Sequence, residues 1–368
     1  MPRIMIAPSR YIQGPGVLAD AARYLIHLGS RAFFICDPAA WSAVNERITK
    51  SLSDGCIEYR CELFSGLCTR KAAAQFSEKA LAFGPDVVVG LGGGVAIDTA
   101  KAVSQELGSN LAIIPTVASN DAPCSALAIQ YKEDHTPDRL LRLKRSPDLV
   151  LVDSKVISEA PVRFFVAGMG DALATWFEAF TCMKYGARNM PGGLPTNAAL
   201  TMARLCLDTL MEHGVAAKLA VERKILTAAV ENTIEATIML SGLGFESGGL
   251  SSAHGIHEGL VAMEETRGMM HGELVAYGTL CFLVMENYST AEIERVIGFC
   301  NEVGLPVTLG QVGIRDSSPE HMMRAAELVC ADGLTTHDSY FNVYPELVLG
   351  AILGANALGE ASLKHLAK

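Results

Sequence analysis

The apolar run Asp86-Val87-Val88-Val89-Gly90-Leu91 leads directly into Gly92-Gly93-Gly94, and Val95-Ala96-Ile97-Asp98-Thr99-Ala100-Lys101 then continues with a helix-compatible pattern. A strand with no polar alternation has to be buried on both faces, the situation of a parallel sheet covered by helices. Arg31 to Cys36, Asn110 to Pro115 and Asp148 to Asp153 repeat the pattern, each beside a helical segment. The first half of the chain is therefore expected to be an α/β domain with a parallel sheet. Beyond about Val156 the strand signals fade, and Asn197 to His213, Ala216 to Ser241 and Ala291 to Val303 carry helical patterns instead. This shift predicts two domains, α/β over 1–158 and all-α over 159–368.

Composition narrows the possible partners. At about 150 residues per domain, 368 residues also suggest roughly two domains. A chain that is 50% hydrophobic and 19% charged, with mean hydropathy +0.26, is not largely disordered. The excess of 40 acidic over 30 basic residues, a formal charge of −10, argues against nucleic acid and anionic lipid. Met1 to Tyr11 lacks a signal-peptide core, and stretches such as Tyr277 to Met285 fall short of the ~20 residues a membrane span requires. Ten cysteines are scattered from Cys36 to Cys330 without a CxxC, as expected of reduced thiols in the cytoplasm.

The glycine run has two readings. Gly92 to Gly94 could form a tight βα turn, or could let the backbone approach a diphosphate held by the N–H groups of the next helix. Asp37, at the end of an earlier strand, could accept from the adenosine ribose hydroxyls and repel a 2′-phosphate, which favours NAD over NADP. It could equally cap a helix before Pro38. The usual dinucleotide fingerprint places its acidic residue about 20 positions after the glycines, so the ordinary order is reversed here. If the start of the Ala126 to Leu143 segment is extended, Ser125, Leu127, Ile129 and Tyr131 would share one face, lining a ligand or packing in a surface hairpin.

A second constellation lies downstream. Asp171 follows Gly168-Met169-Gly170 near a plausible helix start, where capping is the ordinary role for aspartate. His254 and His257 are three positions apart, and His271 stands in Met270-His271-Gly272-Glu273. One carboxylate and two neutral imidazoles suit Zn²⁺ and leave a fourth position for water or substrate. The histidines could instead be hydrogen-bonded core or surface residues, and His257 competes with His254 as ligand or serves behind it.

Three segments carry a resemblance: Gly92 to Lys101, Pro115-Thr116-Val117-Ala118-Ser119-Asn120-Asp121-Ala122-Pro123-Cys124-Ser125, and Pro161 to Asp171. Together with Leu240 to Gly249 and His271-Gly272-Glu273, the chain resembles the glycerol dehydrogenases of the metal-dependent, iron-containing type alcohol dehydrogenase superfamily along nearly its whole length. The resemblance implies a dehydroquinate synthase-like architecture with an active site between a nucleotide domain and a helical domain. It makes Asp171, His254 and His271 Zn²⁺ ligands and catalytic, with His254 also meeting substrate. It makes Asp121 a catalytic contact for a substrate hydroxyl. NAD would be bound by Asp37, Gly92, Gly93, Gly94, Val95, Ala96, Ile97, Asp98, Thr116, Val117, Ala118, Ser119, Ser125, Leu127 and Tyr131.

Three positions depart from that pattern. Thr175 stands where iron-dependent relatives place another histidine, which favours zinc. Val95-Ala96 replaces Lys-Thr in the glycine loop, so pyrophosphate would lean on backbone N–H groups, and Asn120 replaces threonine beside Asp121. The implied activity is NAD-dependent, zinc-dependent oxidation of glycerol to dihydroxyacetone and its reverse, with other small vicinal diols as further substrates. The implied assembly is a cytoplasmic homo-oligomer, an octamer in this family. His257 and Glu273 are candidates behind the ligands. The alternatives are a dehydroquinate synthase-like lyase, whose phosphorylated substrate would need a basic cluster not evident here, and a catalytically weakened nucleotide- and metal-binding protein.

Overall fold

The computed structural model describes residues 1–134, 136–331 and 342–366. The chain forms two compact units, one of Ile6–Phe165 with Ala220–Gly242, the other of Met1–Met5, Val166–Leu219 and Leu243–Lys368. The division thus falls at Phe165/Val166, and each unit takes a piece of chain that a single cut after 158 gives to the other.

The first unit is built on six parallel strands, β1 (Tyr11–Gly14), β2 (Arg31–Cys36), β3 (Glu58–Leu63), β4 (Val87–Gly92), β5 (Asn110–Pro115) and β8 (Leu149–Asp153). Their spatial order is β1-β8-β5-β4-β2-β3, and β6 (Leu127–Tyr131) pairs with β7 (Pro137–Arg142) as a separate antiparallel hairpin. The apolar runs become the inner strands β2, β4, β5 and β8, which are buried almost throughout. The two strands without such a run are the sheet's edges: β1 has only four half-buried residues, and β3 is largely exposed. Side-chain alternation sorts the two faces. Phe34 meets Trp41 of helix α2 (Pro38–Asp54), which with α1 (Ala21–Leu25) covers one face. Phe33 points the other way, to Phe83 of α3 (Arg70–Phe83), which packs on α4 (Gly94–Leu107).

Lys101 of α4 is fully buried. Its ammonium donates to Ala122 O at 2.7 Å, Ser125 Oγ at 3.1 Å and Leu127 O at 2.6 Å, which satisfies the charge and ties the 122–127 segment to the helix. One turn earlier Asp98 accepts from Ile129 N at 3.1 Å, and burial outweighs the attraction of Lys101, pushing its carboxyl up to about 6. The folded chain therefore holds a proton there that the unfolded chain releases near pH 4. This contribution to stability is full below that pH and is lost as pH rises through about 6. Asp98→Asn removes the titration, so the variant's stability relative to the parent is expected to rise by about 1 kcal/mol between pH 5 and 7.5, measured by urea unfolding. A pH-independent difference would refute this.

In the second unit the helices run α6 (Val162–Tyr185, beginning in the first unit), α7 (Asn197–Glu222, ending in the first unit), α10 (Ser252–Val261), α11 (His271–Met285), α12 (Thr290–Val303), α13 (Pro319–Val329) and α14 (Pro345–Leu366). The short α5 (Ser154–Glu159) and α8 (Ala228–Glu235) belong to the sheet unit, and α9 (Ser241–Gly248) spans the division. The helix expected over Ala216 to Ser241 is interrupted: α7 stops at Glu222, Lys224 adopts positive φ, and Thr227 caps α8 through Val230 N. Helix α11 is apolar on all sides and buried, the signature of a central core helix. Among the described residues one helix, α14, is long and apolar enough to cross a membrane, by length and composition, which amends the expectation that no stretch reaches that length. Here a stripe of Val348, Ala351, Ile352 and Ala355 is buried and the helix packs on α11 and α13.

Candidate metal centre and nucleotide loop

Asp171 is not a cap. Helix α6 starts nine residues earlier, at Val162, so Asp171 projects from mid-helix and is fully buried. Its Oδ1 lies 3.1 Å from His271 Nε2 and 3.5 Å from His254 Nε2, and one ligand atom from each of the three residues falls within 4.8 Å of the others. Burial opposes ionisation of Asp171, but the imidazoles of His271 and His254 outweigh it and hold the carboxyl well below its usual range. A divalent cation would bind through imidazole nitrogens that carry no proton.

Close backbone packing brings these side chains together. A Cβ on Gly272, next to His271, would overlap the Ala167 carbonyl oxygen and come within 3.0 Å of Asp171 N. A Cβ on Gly170 would in turn overlap the Gly272 carbonyl. The glycines flanking both ligands therefore let α6 and the first turn of α11 touch backbone to backbone.

Behind the histidines stand two further groups. Glu178, two turns after Asp171 and fully buried, lies 2.6 Å from His254 Nδ1 and accepts from the main-chain N–H of Ser251 and of His254. A carboxylate on Nδ1 fixes the ring and leaves Nε2 facing Asp171. The sequence reading missed Glu178; its spacing of seven from Asp171 on one helical face was the available signal. His257 Nε2 sits 3.0 Å from His271 Nδ1, behind that ring and outside the three-residue cluster. Glu273 caps α11 by accepting from Met270 N at 2.8 Å. Thr175, one turn beyond Asp171, is buried, and its methyl lies 2.6 Å from where a Cβ on Gly244 would stand.

The sheet unit gathers the remaining candidates. Strands β2 and β4 are neighbours, yet the chain leaves β2 towards β3 on one side and β4 towards β5 on the other. Such a topological switch opens a crevice at the carboxyl ends of the strands, where open α/β sheets bind ligands. Asp37 follows β2 and Gly92 ends β4, so the reversed sequence order still yields adjacency: Asp37 N donates to Leu91 O at 2.9 Å. Gly92 has φ of 143°, and a Cβ there would lie 2.8 Å from Asp37 Cβ. Asp37 also caps α2, accepting from Ala40 N at 2.8 Å. Gly93 is the N-cap of α4 and, having no side chain, offers no cap of its own to the first-turn N–H groups. After Gly94, Val95 is exposed, Ala96 and Ile97 are buried and Asp98 is largely buried.

The 116–120 segment runs alongside this turn. Thr116 N donates to Gly92 O, Val117 lies against Gly93, and Asn120 against Gly94. Thr116 and Ala118 are buried and Ser119 half-buried. Ser125 and Leu127 are held by Lys101, and Tyr131 is half-buried on β6. Leu127 to Tyr131 form one strand of the β6–β7 hairpin that was one of the two expectations for that stretch, and Ser125 closes the turn before it. Asp121 precedes a 3₁₀ turn at Ala122–Cys124 without capping it, and its Oδ2 accepts from Ser241 Oγ at 2.7 Å.

The family model for iron-containing alcohol dehydrogenases matches residues 8–154. The chain is 42% identical to the glycerol dehydrogenase of Escherichia coli O6:H1, over 99% of this chain and 100% of that one. It is 40% identical to a glycolaldehyde reductase of Halobacterium salinarum, over 98% of each. Among solved structures it is similar to that of a probable glycerol dehydrogenase from Sinorhizobium meliloti 1021, with TM-score 0.92 and 44% identity over 98% of this chain and 100% of that one.

Proposed function

The chain belongs to the iron-containing alcohol dehydrogenase family, and on that footing we propose that it is an NAD-linked, zinc-dependent polyol dehydrogenase that oxidises glycerol to dihydroxyacetone and catalyses the reverse reduction. Other small vicinal diols would be further substrates. The observation that carries this reading is the convergence of Asp171, His254 and His271 in a chain aligned end to end with a glycerol dehydrogenase. A carboxylate with two imidazoles fits Zn²⁺, and Thr175 in place of a further histidine favours zinc over iron. When bound, the ion would supply Lewis-acid polarisation of an alcohol oxygen, and the nicotinamide a hydride acceptor.

The chain's own residues supply placement. Asp171, His254 and His271 would hold the ion, with Glu178 and His257 fixing the two rings. The first-turn N–H groups of α4 would take the pyrophosphate, aided by the close approach that Gly92 to Gly94 allow. This arrangement suits Val95 and Ala96, which bring no side-chain donor. Asp37 would accept from the adenosine ribose hydroxyls and disfavour a 2′-phosphate. Thr116 to Ser119, Ser125, Leu127 and Tyr131 would line the rest of the dinucleotide, and Asp121 would hold a second hydroxyl of the polyol. Ten free cysteines suit a cytoplasmic enzyme, and the family resemblance extends the proposal to a homo-oligomer, an octamer.

The test is a substrate panel on zinc-loaded protein, run with NAD and with NADP. Glycerol, 1,2-propanediol and 2,3-butanediol are expected to reduce NAD and to leave NADP nearly untouched. Bound zinc with no turnover on any diol or hydroxyketone would overturn the assignment. The identity to a glycolaldehyde reductase favours a second reading, reduction of a short hydroxyaldehyde at the same residues. A rate with glycolaldehyde and NADH far above that with glycerol and NAD would select it.

A further inference from the structure

The helical run from Ala228 to Gly248 is not a uniform α-helix: Ala236–Leu240 forms a π-turn between α8 and α9. Ser241 is the first residue beyond it, and its N–H bonds to Ala236 O, five residues back. Thr237 supports the widened turn, its hydroxyl donating to the carbonyls of Thr233 at 3.0 Å and Ile234 at 3.2 Å. A π-turn inserts one extra residue, so each later residue takes the direction its predecessor would have had in an unbroken α-helix. In an unbroken helix, Leu240 would therefore hold the direction that Ser241 takes. With the π-turn, the Ser241 hydroxyl reaches the Asp121 carboxylate at 2.7 Å.

The contact is tight and closed to solvent. Ser241 is fully buried and Asp121 nearly so. A Cβ on Gly242 would lie 2.9 Å from Cys124 Cβ and 3.0 Å from Asp121 O, so the helix backbone rests against the segment carrying the carboxylate. Lys101 also holds this segment, donating to Ala122 O at 2.7 Å. A buried carboxylate needs donors, and a donor as close as Ser241 Oγ helps decide which way its oxygens point.

We propose that Ser241, aimed by the π-turn, is a positioning residue for polyol recognition: it orients the Asp121 carboxylate towards the substrate hydroxyl that Asp121 holds. The inference rests on the proposed role of Asp121 in diol binding. It adds a polyol-specific function to the Leu240 to Gly249 motif, beyond helix packing.

The experiment is a double-mutant cycle on the zinc-loaded full-length protein, with Ser241→Ala, Asp121→Asn and the pair, read as KM and kcat for glycerol beside zinc content and NADH affinity. Ser241→Ala is expected to lower kcat/KM roughly tenfold, mostly through KM, the order of one hydrogen bond to a charged group. Zinc content and NADH affinity stay at parental values, and Ser241→Ala has no further effect in the Asp121→Asn background. Ser241→Cys, similar in shape but a weak donor, follows the alanine variant and separates the lost hydrogen bond from lost volume. Parental kinetics in Ser241→Ala with impaired Asp121→Asn would overturn the positioning role and leave the diol reading standing. An equal loss from Ser241→Ala in both backgrounds would also overturn it. Parental glycerol kinetics in Asp121→Asn would remove the premise, and the inference with it.

Discussion

Asp171→Ala is expected to fold and yet to lose zinc, binding it at least about 100-fold more weakly than the parent, because replacing a group that merely supports a ligand already costs 10- to 100-fold. The carboxylate contributes the only full negative charge in the three-residue cluster and lies within 3.5 Å of both ring nitrogens, so neither histidine can substitute for it. Stability gives a second readout independent of turnover. A ligand that binds only the folded chain stabilises it by about 4 kcal/mol at a thousand times its Kd. The parent's melting temperature should therefore rise on adding zinc to metal-stripped protein, and that of Asp171→Ala should not. Full zinc occupancy in the variant, measured by elemental analysis, would show that the ion is held elsewhere.

Gly272→Ala should do comparable damage while leaving all three donors in place. The added methyl would overlap the Ala167 carbonyl and crowd Asp171 N, which is main chain and cannot swing aside as a side chain can. Overpacking costs about 1–3 kcal/mol where side chains can yield, and the upper end or more is expected here. Relief requires α11 to retreat from α6, which moves His271 away from Asp171. Metal-stripped Gly272→Ala should therefore unfold at lower denaturant than the parent, and zinc affinity should fall although no ligand has changed. Parental stability and parental zinc binding together would mean that the backbone contact does not set the site.

Much of the sheet was legible because local pattern encodes it. Arg31 to Cys36 and Asn110 to Pro115 appear as strands with the expected ends, since a segment buried on both faces writes its burial into every residue. Glu58–Leu63 escaped because an edge strand is half solvated and its sequence, Glu-Tyr-Arg-Cys-Glu-Leu, shows it. The apparent helix from Ala216 to Ser241 concealed a break, because the residues near Lys224 keep a helical hydrophobic pattern while the chain turns. Asp171 was easy to single out and hard to place: Gly168 and Gly170 look like a helix entrance, but both lie inside α6, where Gly170 packs against the backbone of Gly272.

Sequence alone determined the materials: four buried strands, three glycines ahead of a helix, and a supply of carboxylate and imidazole at positions 171, 254 and 271. Tertiary structure decided their relations. It placed Asp37 beside Gly92 by making β2 and β4 neighbours, put His257 behind His271, and set Glu178 against His254. It also buried Lys101 among carbonyl and hydroxyl oxygens and turned Ser241 towards Asp121. The physical reason is range. Strand period, turn residues and helix pattern are properties of neighbouring residues, whereas a cluster drawn from residues 83 and 17 positions apart exists only where backbones pack closely enough for short side chains to meet.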